Sequence, residues 1–200
     1  MARLPCEVVT PRLLLRLWQA EDASALRVAI ERSLEHLQPW MAWISLEPLS
    51  DEDRVQFIHS SRTDWENGGD AIFGAFHDGV IVGGCGLHRR QGQGILDIGY
   101  WIHAGHVRNG YATELTGGLT SAAFEVEGIE RVEIHHDKAN VRSRAVRRSL
   151  GFVQGPEEPD DVDAPGEVGI DCAWSIERSG WKARRPSRDF LVRWSGDLPE

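Results

Sequence analysis

The sequence predicts a mixed α/β fold (α+β in how its elements group), and three observations carry that prediction. Leu13, Leu15 and Leu17 alternate with Arg12, Leu14 and Arg16, the period of a strand. Three strand-like runs follow one another between Ala71 and His103, the first two joined by the tight-turn pair Asp78-Gly79. Helix-period segments lie both before and after that meander, so strands and helices share one core rather than forming separate halves.

After the first strand, Glu21 to Leu37 places Leu26, Ile30, Leu34 and Leu37 at helical spacing and predicts one helix. Ser50 reads as the cap of a second, with Asp51, Glu52 and Asp53 in its first turn and Val55, Ile58 and Trp65 as its apolar face. Ala71 to His77 and Val80 to His88 form a hairpin, and the glycines around Gln91 to Gly94 turn the chain into a third strand, Ile95 to His103. A helix from Gly110 to Val126 comes next, with Ala112, Leu115, Leu119, Ala122 and Val126 along one face. Arg131 to His136 is a strand, and Val141 to Leu150 a short helix stopped by Gly151. Phe152-Val153 and Ile170 to Glu177 read as a closing strand pair. From Ser179 the chain turns basic and is broken by Pro186 and Pro199, so residues 1–180 read as one domain and 181–200 as a basic C-terminal tail.

Two hundred residues suffice for one well-filled domain. The net charge of −9 argues against a general nucleic-acid binder, and any phosphate site must be built locally from helix ends and nearby arginines. No apolar run approaches the roughly 18 residues that span a bilayer, and the first residues lack the apolar stretch of a signal peptide. Cys6, Cys85 and Cys172 lie far apart without metal-type pairing, which suits reduced thiols in the cytoplasm.

Ile98-Gly99-Tyr100-Trp101-Ile102, followed by Val107 to Glu114, is the most informative stretch. It reads as strand, glycine-bearing turn and immediate helix, an arrangement that points several free N–H groups at one spot and suits a pyrophosphate. Each favourable charge at a helix start contributes about 0.3–1 kcal/mol, so several converging amides are needed for useful binding. Gly110 lets a ligand approach the main chain closely; an isolated glycine turn of this kind also serves plain helix–strand packing.

With Thr10-Pro11-Arg12-Leu13, Ser33, His36-Leu37, Pro39-Trp40, Ile98-Gly99-Tyr100-Trp101, Gly110-Tyr111-Ala112-Thr113-Glu114, Asn140-Val141-Arg142-Ser143 and Leu150-Gly151-Phe152 in order, the chain resembles the GNAT N-acetyltransferase superfamily. The resemblance is closest to the ribosomal-protein N-terminal acetyltransferase branch (RimJ/RimL-like) and spans Val9 to Trp181. It implies a mixed central sheet of about seven strands with helices on both faces, in the order β-α-α-β-β-β-α-β-α-β-β. It also implies transfer of an acetyl group from acetyl-CoA (or another acyl-CoA, such as succinyl-CoA) to a primary amine, by direct attack in a ternary complex. CoA would lie between the strands Ile98 to His103 and Arg131 to His136. Ile102, His103, Arg108, Asn109, Gly110, Tyr111, Ala112, Thr113, Asn140 and Ser143 are the implied CoA contacts. Val107 stands where the family usually has Gln or Arg, which leaves side-chain help to Arg108.

Ser143 matches the family's general acid. A thiol of pKa about 8.5 needs little help to leave, whereas a serine hydroxyl gives up its proton reluctantly, so the expected role is a hydrogen bond to developing thiolate charge. The amine must be neutral to attack, which at pH 7 costs about 1 kcal/mol for an α-amine and about 4.6 kcal/mol for lysine. Asp97 corresponds to a carboxylate that serves as base in several relatives; an ordinary polar residue at a strand start is the equal alternative. Trp40 and Trp43 sit where relatives place an acceptor lid, with Tyr100 and Trp101 on the same substrate side; core packing explains both lid tryptophans equally well.

Adjacent His135 and His136 point to opposite faces of a strand, so no metal site is expected there. Arg142, Arg144, Arg147 and Arg148 offer contacts to the CoA 3′-phosphate or, for most of them, a solvated basic face. Seven acids without a base run from Glu157 to Asp171; they either favour a cationic acceptor (peptide N-terminus, polyamine or aminosugar) or merely keep a loop soluble. The expected partners are thus an amine acceptor, with neither nucleic acid nor membrane, for a monomer or homodimer. The competing class is a catalytically silent CoA-binding sensor or interaction module.

Overall fold

The computed structural model describes residues 2–184 and 191–194. Its nine strands form one sheet: β1 (Glu7–Val9), β2 (Leu14–Leu17), β3 (Ala71–His77), β4 (Val80–His88), β5 (Ile95–Ile102), β6 (Arg131–Ile134), β7 (Val153–Pro159), β8 (Ile170–Glu177) and β9 (Leu191–Arg193). Their spatial order is β7-β8-β6-β5-β4-β3-β2-β1-β9. The helices are α1 (Ala23–Glu31), α2 (Leu34–Leu37), α3 (Asp51–Glu66), α4 (Tyr111–Glu125), α5 (Val141–Leu150) and α6 (Arg178–Arg184).

The meander follows its turn chemistry. Asp78 and Gly79 both hold positive φ (49° and 77°), the twist that joins β3 to β4 without splaying them. Ser50 caps α3 reciprocally with Asp53, as the first-turn acids predict. On one face of the sheet α4 buries Leu115, Leu119, Ala122 and Ala123 against Phe73, Leu87, Leu96 and Val132. On the other, Trp18, Leu26, Ile30 and Ile58 join Phe76 and Ile81 beneath α1 and α3. Helices thus cover both faces of a mixed sheet.

Several expectations change. The segment read as one helix over Glu21 to Leu37 breaks at Arg32 and Ser33 into α1 and α2. Ser33 turns its hydroxyl back to the Ala29 carbonyl (2.8 Å) and accepts from the Ala104 amide (3.1 Å), so the break ties this region to the end of β5. The sheet has nine strands rather than about seven because β1 and β9 add to its outer side, where β9 pairs antiparallel with β1. Residues expected as a tail supply the end of α6 and all of β9; Pro186 and Pro199 lie outside the described residues. Trp181 of α6 is buried and donates to Ser121 of α4 (3.2 Å), while Arg178 caps the carbonyl end of α4 at Phe124 (2.6 Å).

One junction matters most. β5 and β6 are the sheet's parallel pair, and their register ends after Ile95↔Arg131, Leu96↔Val132 and Asp97↔Glu133. β5 then continues to Ile102 beside β4, while β6 stays with β8. From Ile98 onward the two strands part, and the side of β5 that faced β6 is open.

Candidate active site

The first half of the site is the joint between β5 and α4. Gly110 caps α4 at φ 79°, and Arg108 is also left-handed at φ 65°, a conformation that costs a non-glycine residue about 1–2 kcal/mol. Strain of this kind persists where the surroundings fix it. Here they do: Glu114 accepts from the Thr10 hydroxyl (2.7 Å), the Arg12 amide (2.7 Å) and Arg12 Nε (2.6 Å). Arg12 Nη1 in turn donates to the Asn109 carbonyl (3.1 Å), and its guanidinium lies 4.9 Å from the Tyr111 ring centre. Burial pushes the Glu114 carboxyl up, but these hydrogen bonds outweigh it and hold the group below its ordinary value. Two separated motifs, Thr10 to Leu13 and Gly110 to Glu114, are thus one clamp that shapes the loop. The amides from Gly110 to Thr113 precede the first acceptor-paired turn of α4 and remain available to an anion.

The second half is the split between β5 and β6, closed at one side by the start of α5. Asn140 caps α5, its side chain accepting from the Ser143 amide (3.4 Å). This turns the Ser143 hydroxyl toward β5, where it lies 2.9 Å from the Tyr100 hydroxyl. A cavity of about 390 Å³ runs from this pair to the α4 joint, bordered by Trp40, Trp101, Ile102, Arg108, Gly110 and Arg142. A second, of about 270 Å³, leads from the same pair in the other direction, bordered by Trp40, Gly99, His135, Asn140, Arg147 and Asp171. The two share Trp40, Met41, Tyr100, Asn140 and Ser143, so one bent cleft has its corner at the paired hydroxyls. The open margin of β5 and the free amides of α4 lie along the first arm, which fits an extended, diphosphate-bearing acyl-CoA.

The second arm is walled by acids. Asp160, Asp161, Glu167 and Asp171 border it, all from the acidic segment after Phe152. That segment is pinned rather than loose. Gly166 donates to the Pro39 carbonyl (3.0 Å), and Asp137 Oδ2 accepts from the amides of Val168, Gly169 and Ile170 at 2.9–3.2 Å. His135 lies between two carboxylates, Nδ1 2.7 Å from Asp171 and Nε2 3.2 Å from Glu133. The Asp171 contact, opposed by burial and aided by Glu133, raises its pKa. His136 is lowered by burial and accepts from Trp174 Nε1 (3.1 Å).

Among the residues expected from sequence, Tyr100, Trp101, Ile102, Arg108, Gly110, Tyr111, Ala112, Asn140, Ser143 and Trp40 all border the cleft. His103, Asn109 and Thr113 stand just outside that border. His103 instead accepts from the Gly105 amide (3.0 Å) and shapes the turn before the loop. Trp43 packs against Trp101, ring centres 6.3 Å apart. Asp97 is the last paired residue before the split and is buried behind the cleft, with Oδ1 unpartnered and Oδ2 4.0 Å from Arg90. Burial raises its pKa against the charges of His88, Arg90 and His135. Arg147 departs most from expectation: it is 2% exposed, not on a solvated basic face. His106 and Met41 border the cleft without any sequence signal, and His135 borders it although weighed in the sequence only as a metal ligand. Asp160, Asp161, Glu167 and Asp171 come from the acidic segment weighed there as a wall for a cationic acceptor. The spacing Asn140, Ser143, Arg147 (i, i+3, i+7) was the available signal for Arg147.

Comparison with known proteins agrees with this geometry. A family model described as an acetyltransferase (GNAT) domain matches residues 12–153. The chain is 25% identical over 178 residues to YdaF of Bacillus subtilis (strain 168), named as a candidate ribosomal N-acetyltransferase, covering 88% of this chain and 97% of that protein. A solved structure named as a candidate ribosomal-protein-serine acetyltransferase from Vibrio cholerae is 27% identical with a TM-score of 0.69, over 86% of this chain and 97% of that one. RimJ from Mycobacterium smegmatis, solved with a CoA-disulfide, shares the fold at a TM-score of 0.78 and 20% identity, over 97% and 100% of the two chains. Because the family match spans well over half of its length, the chain belongs to the GNAT acetyltransferase family, with relatives on the RimJ/RimL-like branch.

Proposed function

We infer that this enzyme transfers the acetyl group of acetyl-CoA to a primary amine that arrives as a cation through the acid-walled arm. The observation that carries this reading is the corner of the cleft: a phosphate-competent arm and an acidic arm meet at the Tyr100–Ser143 pair. Acetyl-CoA supplies an activated acyl group; the protein supplies position, charge and exclusion of water.

In this reading the amides from Arg108 to Thr113 hold the pyrophosphate, with Arg108 and Arg142 beside it. Ile102 and Asn140 line the extended arm of the donor. Asp160, Asp161, Glu167 and Asp171 draw an ammonium into the second arm, and Trp40 covers the corner. The ammonium gives up one proton to water and becomes the free amine. Its lone pair forms the C–N bond, the C–S bond breaks with its electron pair going to sulfur, and the nitrogen sheds its second proton to solvent. Ser143 donates a hydrogen bond to that sulfur. An α-amine needs only about 1 kcal/mol to become neutral at pH 7, so a peptide N-terminus requires no strong base. Asp97, sealed behind the cleft, acts on proton removal only through the field at His135. The relatives named for ribosomal proteins favour a protein N-terminus among the cationic acceptors, and a basic one suits the acidic wall best.

An amine panel with acetyl-CoA, read by free thiol, tests the reading. Peptides with basic N-termini should outpace neutral ones, and the advantage should shrink with salt. Ser143→Ala should lower kcat by about 10–100-fold with CoA affinity retained. Equal rates for neutral and cationic amines at all salt levels would remove the acidic wall from the mechanism. CoA binding without thiol release on any amine would instead mark a silent binding module.

A further inference from the structure

Arg147 is the largest fully buried side chain of the described residues, yet it carries a charge. It sits on α5 one turn after Ser143 and borders the acid-walled arm of the cleft. Its Nη2 makes one long contact, 3.4 Å to the His135 carbonyl, while Nε and Nη1 are buried without an acceptor. Among the described residues no carboxylate lies within ion-pair distance of it, and Asp171 on the facing strand is taken up by His135. Burial brings its pKa down to about 10, which leaves it charged at neutral pH.

A buried cation outside any ion pair weakens a fold, and an apolar side chain of similar volume serves the packing better. The position therefore calls for a use of the charge. Tyr100, whose hydroxyl is the one paired with Ser143, borders the same arm of the cleft as the guanidinium. The positive field of the buried Arg147 therefore reaches the corner of the cleft that Tyr100 and Ser143 form.

We propose that Arg147 is a positioning residue for thiol departure: its buried charge, outside any ion pair and one turn of α5 from Ser143, stabilises the negative charge that gathers on the CoA sulfur. This rests on the acetyl-transfer reading above. As the C–S bond breaks, its electron pair goes to sulfur. Ser143 donates a hydrogen bond to that sulfur while accepting one from Tyr100. The proton shed by the amine leaves to solvent, and Arg147 neither gains nor loses one.

The test is Arg147→Met, with Arg147→Gln as a second neutral replacement should methionine pack poorly. The Met protein should melt at or above the wild-type temperature, since it removes an unpaired buried charge. Its kcat should fall about 10–100-fold while KM for acetyl-CoA stays within about twofold. In the CoA complex, the thiol, followed by thiolate absorbance, should titrate about one pH unit higher than in wild type. A purely structural role does not lower kcat and raise the bound-thiol titration together while KM holds. A folded variant with wild-type kcat and an unshifted bound thiol overturns the proposal. So does a loss confined to donors that end in a carboxylate, such as succinyl-CoA, because the guanidinium would then be a ligand contact. Failure of the wild-type protein to release thiol from acetyl-CoA counts against the transfer reading instead, and the bound-thiol titration still decides the role of Arg147.

Discussion

Replacing Glu114 by Gln tests whether the clamp between Thr10, Arg12 and α4 shapes the phosphate loop. In the native protein one carboxylate accepts the Thr10 hydroxyl, the Arg12 amide and Arg12 Nε, all within 2.7 Å. A hydrogen bond to a charged group is worth about 1.5–3 kcal/mol, roughly double a neutral one. Glutamine keeps an oxygen for Thr10 and the Arg12 amide but turns an NH2 toward the guanidinium, so the Arg12 Nε bond is lost. Arg12 is 45% exposed on its side chain, which screens part of that charge interaction and sets the expected loss at about 2 kcal/mol. For a chain of this size that is a melting-temperature drop of about 4–8 °C. The pH dependence carries the same information with a definite sign. The folded carboxyl titrates below its unfolded value, so its stabilisation is present above an unfolded pKa of about 4.3 and is lost as pH falls through the folded value. Glu114→Gln should lack that acid-side loss. With Arg12 released, its hold on the Asn109 carbonyl slackens and CoA should bind about tenfold more weakly, measured by calorimetry. A variant that melts within about 1 °C of wild type and binds CoA equally well would refute the clamp.

Two further outcomes follow from the buried acids and the histidine beside the split. Asp97→Asn should be more stable than wild type at pH 7, because the native carboxyl is raised by burial. Its contribution is full below an unfolded pKa of about 3.9 and declines as pH rises through the folded value; a urea titration at pH 4 and 7 checks this. Asp171→Asn should destabilise most below about pH 6, since the raised pKa of His135 contributes below its unfolded value and the gain fades as pH climbs through the folded one. Melting curves from pH 5 to pH 9 that run parallel for the two proteins would contradict the His135–Asp171 assignment.

What the chain disclosed about itself depended on the range of the interaction. The hairpin at Asp78-Gly79, the cap at Ser50 and the stop at Gly151 are set by neighbours a few residues apart, and the structure places them where local chemistry predicts. The break at Ser33 escaped the period of apolar residues because Leu26, Ile30, Leu34 and Leu37 keep helical spacing across it. The serine is recruited by Ala104, seventy-one positions away. β1 and β9 are three residues each and find each other across most of the chain, so no local pattern announces them. In the site, the glycine-bearing joint and Asn140–Ser143 were readable as motifs. Arg147 shares their helix face by spacing, but a run of arginines on a short helix looks like solvent-facing charge until the helix is docked, and that masked the signal.

The pairing of β9 with β1 gives the last described strand a protective duty. β1 is a short ribbon whose far side would otherwise offer bare amides and carbonyls to any other polypeptide. A chain ended before Leu191 would keep every group that borders the cleft and still acquire a sticky rim, so loss of solubility on trimming would report on that rim and not on catalysis.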